Sequence, residues 1–428
     1  MKINRYVNPD RSLWKELCLR PSDTDTGVRE RVMQIIDRVR RGGDEAICAI
    51  ASEIDGRPRE ALELSESEIA AARENVSPEV RDAIAEAAKN IREFHKAEIP
   101  GEIEMETAPG VRCIQRPVPI ERVGLYIPGG TAPLFSTVLM LAIPARLARC
   151  REIILCTPAS KKGVIAPEVL FAAAYCGVDR IFRIGGAQAI AAMALGTDTV
   201  PKVDKIFGPG NQYVTAAKQI LGASSVAVDM PAGPSEVMVI ADENSNPTFV
   251  AADLLSQAEH GRDSQVILVT DSGRLADEVE IELEKQLKSL GRCEIASCAL
   301  EKSRILILPM DEIVDFANEY APEHLIISLD DAWSVADRIT AAGSVFVGVY
   351  TPESAGDYAS GTNHTLPTCG WARAFSGVNM DSFMRKMTIQ EISREGLSLL
   401  GKSIVPMAEA EGLQAHANAV KVRISDYK

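Results

Sequence analysis

Four of the chain's five histidines stand beside side chains that share chemistry with them: SQAEHG (256–261), APEH (321–324), GTNHT (361–365) and LQAHAN (413–418). Imidazoles gathered from distant segments, with a carboxylate, make the donor set of a catalytic zinc site, in which one position stays open for substrate. Gln257 and His260 lie three apart and share a face if the segment is helical, although a glutamine oxygen is an uncommon ligand. Glu323 and His324 pair a carboxylate with an imidazole, the usual general-base combination near neutral pH. Being adjacent, they reach one pocket only from an irregular junction. The stretch TPESAGDYASGTNHTLPT (351–368), holding Asn363-His364, is polar and studded with Gly and Pro; it predicts neither helix nor strand. On residue types alone a second reading stands beside each of these: four satisfied loop histidines, a helix-end charge pair and a solvated surface loop.

The elements that must position these residues follow from apolar periodicity. Residues 1–24 are polar and predict an extended arm. An amphipathic helix is expected over 27–54 and another from Ser77-Pro78, with Val80, Ile84, Ala88, Ile91 and Phe94 as its apolar stripe and His95 as a partly exposed structural histidine on the flank. From residue 122 strand, loop and helix alternate: RVGLYI (122–127), EIILCT (152–157), RIFRIGG (180–186), KIFGPGNQ (205–212) and VAVDM (226–230). Such alternation is the signature of a parallel sheet with helices on both faces. After residue 236 it resumes through EVMVIAD, SQVILVTD, RILILP, LIISL and SVFVG, the last leading into the polar loop. The expected division is an arm (1–24), a discontinuous α/β domain (25–121 and 236–378), an inserted α/β domain (122–235) and a helical C-terminal segment (379–428). With no core of its own, that last segment must dock elsewhere, on its own chain or on a partner. Glycine pairs after the strands (129–130, 185–186, 208 and 210) suit ligand loops or tight turns; neither GxGxxG nor GxxxxGK[ST] occurs.

Composition narrows the function classes. Lys plus Arg number 46 against 60 acidic residues, a net charge of −14 with no basic block, which argues against nucleic acid as a partner. The most apolar stretch, FSTVLMLAIPARLARC (135–150), is interrupted by Pro144 and Arg146 and falls short of a membrane span. The charged start MKINRYVNPDRSLWKEL does not fit a signal peptide, and nine scattered cysteines without CxxC predict reduced thiols and a cytoplasmic protein.

Eight motifs together resemble histidinol dehydrogenase: GLYIPGG (124–130), GGAQAIAA (185–192), GPGNQYV (208–214), AGPSE (232–236), SQAEHG (256–261), YAPEHLII (320–327), SAGDYASGTNHTLPT (354–368) and EGLQAHANAV (411–420). They run in that family's order over nearly the whole chain. The resemblance implies NAD-dependent, four-electron oxidation of L-histidinol to L-histidine through the bound aldehyde, in the last steps of histidine biosynthesis. It implies one Zn²⁺ per subunit on Gln257, His260, Asp357 and His416, the last from the other subunit of a homodimer with shared sites. His324 would be the general base, and Glu323 would activate water. Ser235, His364 and Glu411 would contact substrate, together with His324 and the metal ligands; Tyr126, Gln188 and Asn211 would contact NAD. The fold implied is two incomplete Rossmann-like units, one inserted in the other, with terminal helical segments docking on a partner subunit. Two other functions are weighed against this one: a zinc- and NAD-dependent dehydrogenase of the same fold acting on another small alcohol, such as a sulfonated propanediol, and a non-catalytic zinc-stapled scaffold.

Overall fold

The runs EVMVIA, QVILVT and HLIIS are buried along their whole length, the pattern of parallel strands covered on both faces. They form the centre of a six-stranded parallel sheet ordered Asn4–Val7, Arg304–Ile307, Gln265–Thr270, Glu236–Ala241, His324–Ser328 and Ser344–Val347. Alternate side chains sort to opposite faces. Val237 and Val239 meet Val250 and Leu254 of the helix Pro247–Ala258 and Val279 and Leu283 of the helix Gly273–Leu287. Met238 and Ile240 meet Phe316 and Tyr320 of the helix Met310–Tyr320, together with Trp14.

This computed structural model describes residues 3–20, 27–56, 60–129, 133–231 and 233–425. The chain forms two compact units, residues 1–98 with 121–380 and residues 99–120 with 381–428. The first unit holds a second parallel sheet of five strands, in the order Arg180–Phe182, Glu152–Cys156, Arg122–Tyr126, Lys205–Phe207 and Ala227–Val228. Counted along the chain, that order is 3-2-1-4-5, and the larger sheet repeats it once its N-terminal edge strand is set aside. Pocket-forming loops meet between the two sheets at opposite strand ends. Pro128, Gly208 and Pro209 follow strands of the smaller sheet, whereas Ser235, Ser264 and Glu323 precede strands of the larger one.

The structure redraws several expectations. The helix Gly27–Asp55 is broken at Gly43, whose φ of 49° is not helical. Its Val28, Val32, Ile36 and Val39 share a core with Tyr126, Ile154 and Ile190 of the smaller sheet and its helix, although residues 25–121 were grouped with the larger one. The N-terminal arm contributes an edge strand to the larger sheet. His95 is buried, not partly exposed: its Nδ1 donates to Ile91 O (2.8 Å) and its Nε2 accepts from Asn363 Nδ2 (3.2 Å). Within the Gly- and Pro-rich loop, Glu353–Tyr358 is helical. Gly356 is what permits this turn, because a Cβ there would meet the Phe346 ring at 2.7 Å.

The second unit is a three-stranded antiparallel sheet, ordered Met384–Ile392, Val111–Pro119 and Ile103–Ala108, with the helices Arg394–Ala410 and Gln414–Ser425. The C-terminal segment is therefore not wholly helical. Met384–Ile392 is exposed on both faces, so it lacks the half-buried alternation by which a strand is recognised. Large apolar side chains remain uncovered here, among them Ile103, Met105, Leu399 and Met407. Among the described residues no disulfide joins the cysteines, and no helix is long and apolar enough to cross a membrane.

Candidate active site

The loops between the two sheets of the first unit line a cavity of about 930 Å³. Ser235, Gln257, His260, Glu323, His324, Asp357 and His364 all line it. At its centre the Asp357 carboxylate faces three imidazoles: His324 Nε2 at 3.7 Å, His364 Nδ1 at 3.9 Å and His260 Nε2 at 4.0 Å.

Local structure explains each placement. The helix Met310–Tyr320 ends on Ala321 in the left-handed region (φ 51°), and Pro322 prevents its continuation. That irregular junction lets Glu323 and His324 both turn to the cavity, His324 Nδ1 lying 3.6 Å from Glu323 Oε2. Gln257 and His260 leave the end of the helix Pro247–Ala258 on one face. Asn363 and His364 part company. Asn363 turns into the core, donating to Met140 O (2.7 Å), while His364 Nδ1 donates to Asp357 O (2.8 Å) and its Nε2 accepts from the Thr137 hydroxyl (3.2 Å).

One residue holds much of this in place. The Glu236 N–H donates to Glu323 Oε2 (2.9 Å), and its carbonyl accepts from His324 Nδ1 (3.3 Å). Gln257 is fully buried, and hydrogen bonding fixes its amide orientation. Its nitrogen donates to Glu353 Oε1 and its oxygen accepts from Glu236 N (3.0 Å); the reverse would set like atoms against each other.

Burial dominates the electrostatics. It pushes the His324 pKa down to about 4, the Asp357 charge opposing, so the imidazole is neutral near pH 7. With Nδ1–H committed to Glu236, the neutral ring carries its lone pair on Nε2, which is buried without a hydrogen-bond partner among the described residues. Glu323 and Glu353 are raised well above the ordinary carboxylate range by burial. In the unfolded chain His324 titrates near 6.5, so the folded state binds fewer protons between that value and about 4. Its contribution to stability is complete above pH 6.5 and is lost as pH falls to about 4, on the order of 3 kcal/mol. Urea unfolding of metal-free His324→Ala should accordingly show a shallower acid decline than the parent chain between pH 7 and 4; parallel declines would refute the shift.

Glu353 was missed in the sequence. It is buried, lies 3.7 Å from His324 Nδ1, and with His260 and Asp357 forms a group whose donor atoms lie within 4.8 Å of one another. The signal was Glu353 and Asp357 at i and i+4, legible only if the segment is allowed to be helical. Imidazole nitrogen and carboxylate oxygen gathered this closely suit a divalent zinc ion, and the unpartnered His324 Nε2 beside them suits a reacting group.

Of the residues assigned to NAD, Asn211 lines the cavity and caps the helix Gln212–Gly222, accepting from Tyr213 N (3.0 Å) and Val214 N (3.2 Å). Tyr126 and Gln188 are buried outside that lining, the Tyr126 hydroxyl accepting from Gly186 N (3.0 Å). Gly208 sits at φ 122° against the Tyr126 carbonyl, a place closed to any side chain. Its N–H donates to Asp229 Oδ2 (2.8 Å) and its carbonyl accepts from Lys218 Nζ (2.9 Å). Gly130, of the first glycine pair, lies outside the described residues. Glu411 and His416 belong to the second unit, where both are exposed, at the end of Arg394–Ala410 and on Gln414–Ser425.

Comparison with known proteins gives a consistent result. A family model described as histidinol dehydrogenase matches residues 18–424. The histidinol dehydrogenase of Bacteroides fragilis is 54% identical over 429 residues, covering 100% of both chains. That of Xylella fastidiosa is 52% identical over 427 residues, covering 99% of each. The crystal structure of histidinol dehydrogenase from Elizabethkingia anophelis superposes with a TM-score of 0.96 at 49% identity, over 99% of this chain and 98% of that one.

Proposed function

The chain belongs to the histidinol dehydrogenase family, and on that premise we propose that it oxidises L-histidinol to L-histidine through bound L-histidinaldehyde, with zinc and two NAD⁺, in the last steps of histidine biosynthesis. The observation that carries this reading is the buried, unpartnered His324 Nε2 beside the Asp357 carboxylate in a cavity of about 930 Å³.

Gln257, His260 and Asp357 would hold the zinc, with His416 of the partner subunit completing the set. When bound, the metal supplies a positive centre that orients the substrate's nitrogen atoms, and NAD⁺ supplies the hydride acceptor. His324 accepts the hydroxyl proton on Nε2, because Nδ1–H is already committed to Glu236 O. The aldehyde must then be hydrated, which is the task of Glu323. Burial raises that carboxyl well above the ordinary carboxylate range, which strengthens it as the acceptor of a proton from water. Ser235, His364 and Glu411 would contact the substrate.

The 3-2-1-4-5 order supports reading the two sheets as incomplete Rossmann-like units, one inserted in the other. The smaller takes NAD at the crevice beyond Arg122–Tyr126 and Lys205–Phe207, where Gly208 and Asn211 lie, with Tyr126 and Gln188 as further contacts. The apolar side chains exposed on the second unit support a homodimer in which the terminal segments dock on the neighbour. A cytoplasmic location belongs to the same proposal.

Purified protein given L-histidinol and NAD⁺ should form NADH, and chelation should abolish this; NADH with another alcohol but none with histidinol would reject the assignment. Mixing His416→Ala with Glu323→Gln subunits, each defective in carrying histidinol through to histidine, should restore part of the histidine formation, because half of the mixed dimer's sites draw intact residues from both chains. A mixture of exchanging subunits that gains no histidine formation would rule out shared sites.

A further inference from the structure

Arg20, on the polar N-terminal arm, lines the active-site cavity. It reaches Glu236 with a forked contact, Nε to Oε2 at 2.8 Å and Nη2 to Oε1 at 2.9 Å, and its Cζ lies over the Tyr320 ring, 3.5 Å from the centroid. Two further donors are used: Nη1 donates to Cys18 O (2.9 Å) and Nη2 to Tyr320 O (2.7 Å). Glu236 is buried, and its Oε1 accepts a further hydrogen bond from Cys369 N (3.1 Å). So oriented, the Glu236 backbone carries three bonds into the site, to Glu323 Oε2, to Gln257 Oε1 and from His324 Nδ1.

We propose that Arg20 and Glu236 are positioning residues: the arm's guanidinium fixes the Glu236 side chain, and through it the one backbone segment that aims the base, the water-activating carboxylate and a metal ligand. A planar, forked guanidinium over a ring fixes orientation as well as charge, which a lysine ammonium cannot do. The roles assigned to Gln257, Glu323 and His324 are those of the proposed function, on which this inference rests.

The test uses the full-length protein in two variants. Arg20→Lys keeps the charge and loses the fork. Arg20→Ala/Glu236→Gln removes both charges together and so leaves no unpaired buried ion, the usual reason such a variant fails to fold. Each should lower kcat for alcohol and for aldehyde oxidation with little change in the KM for NAD⁺. Each should also weaken zinc binding, measured by competition with a chelating dye, by about 10–100-fold, as loss of groups that orient metal ligands does. A double variant with parental kcat and zinc affinity, whatever its melting temperature, would overturn the proposal. Zinc affinity is read without turnover, so it judges the inference separately from the histidinol assay that judges the proposed function.

Discussion

Replacing His324 by alanine should lower kcat for histidinol oxidation by about 10²–10⁴-fold, the usual contribution of a positioned general base. Zinc content should be retained, because the proposed metal ligands are other residues. The reason is structural. The imidazole is neutral, its Nδ1–H is spent on Glu236 O, and Nε2 is the one atom left to take a proton. No other imidazole is as well placed: His364 has both ring nitrogens engaged, and His260 keeps 39% of its side-chain surface exposed. Truncation leaves the Glu236 carbonyl without its donor, which costs about 1–3 kcal/mol, so kcat should be measured well below the variant's melting temperature. A loss of less than tenfold would remove His324 from the chemistry.

Glu323→Gln is expected to split the reaction. The amide oxygen can still accept from Glu236 N–H, and burial already disfavours charge on the carboxyl that it replaces, so the fold should be nearly unaffected. What disappears is a group able to take a proton from water. Oxidation of added histidinaldehyde should fall by about 100-fold or more, whereas oxidation of histidinol to the aldehyde level should fall far less. Single-turnover measurements of the two steps decide the matter; equal losses would mean that Glu323 only shapes the cavity.

Strands such as Glu236–Ala241 and Gln265–Thr270 were legible because burial on both faces writes an uninterrupted apolar run. Met384–Ile392, Ile103–Ala108 and Val111–Pro119 were not, because a thin antiparallel sheet exposed to solvent imposes no such run. Glu353 was lost for a different reason: Gly356 argues against a helix locally, yet the Phe346 ring beside it requires a residue without a side chain. The approach of Asp357 to His260 and His324 depends on which strand ends meet, and no local pattern records that. His95 was misjudged because its partner, Asn363, comes from far along the chain.

The edge strand Asn4–Val7 has a further consequence, for the order in which the chain is made. It pairs in register with Arg304–Ile307, and the Asn4 side chain donates to Glu301 O across 297 residues of sequence. At about 5–20 residues per second, roughly 15–60 s of synthesis separate the strand from its partner. Asn4–Val7 leaves the ribosome long before the strand it pairs with, and closing so long a loop favours a late step in refolding as well. Arg20 shares this fate, since Glu236 and Tyr320 also follow it by hundreds of residues. A nascent chain stopped before residue 304 therefore holds Asn4–Val7 as an unpaired strand, free to join another sheet edge.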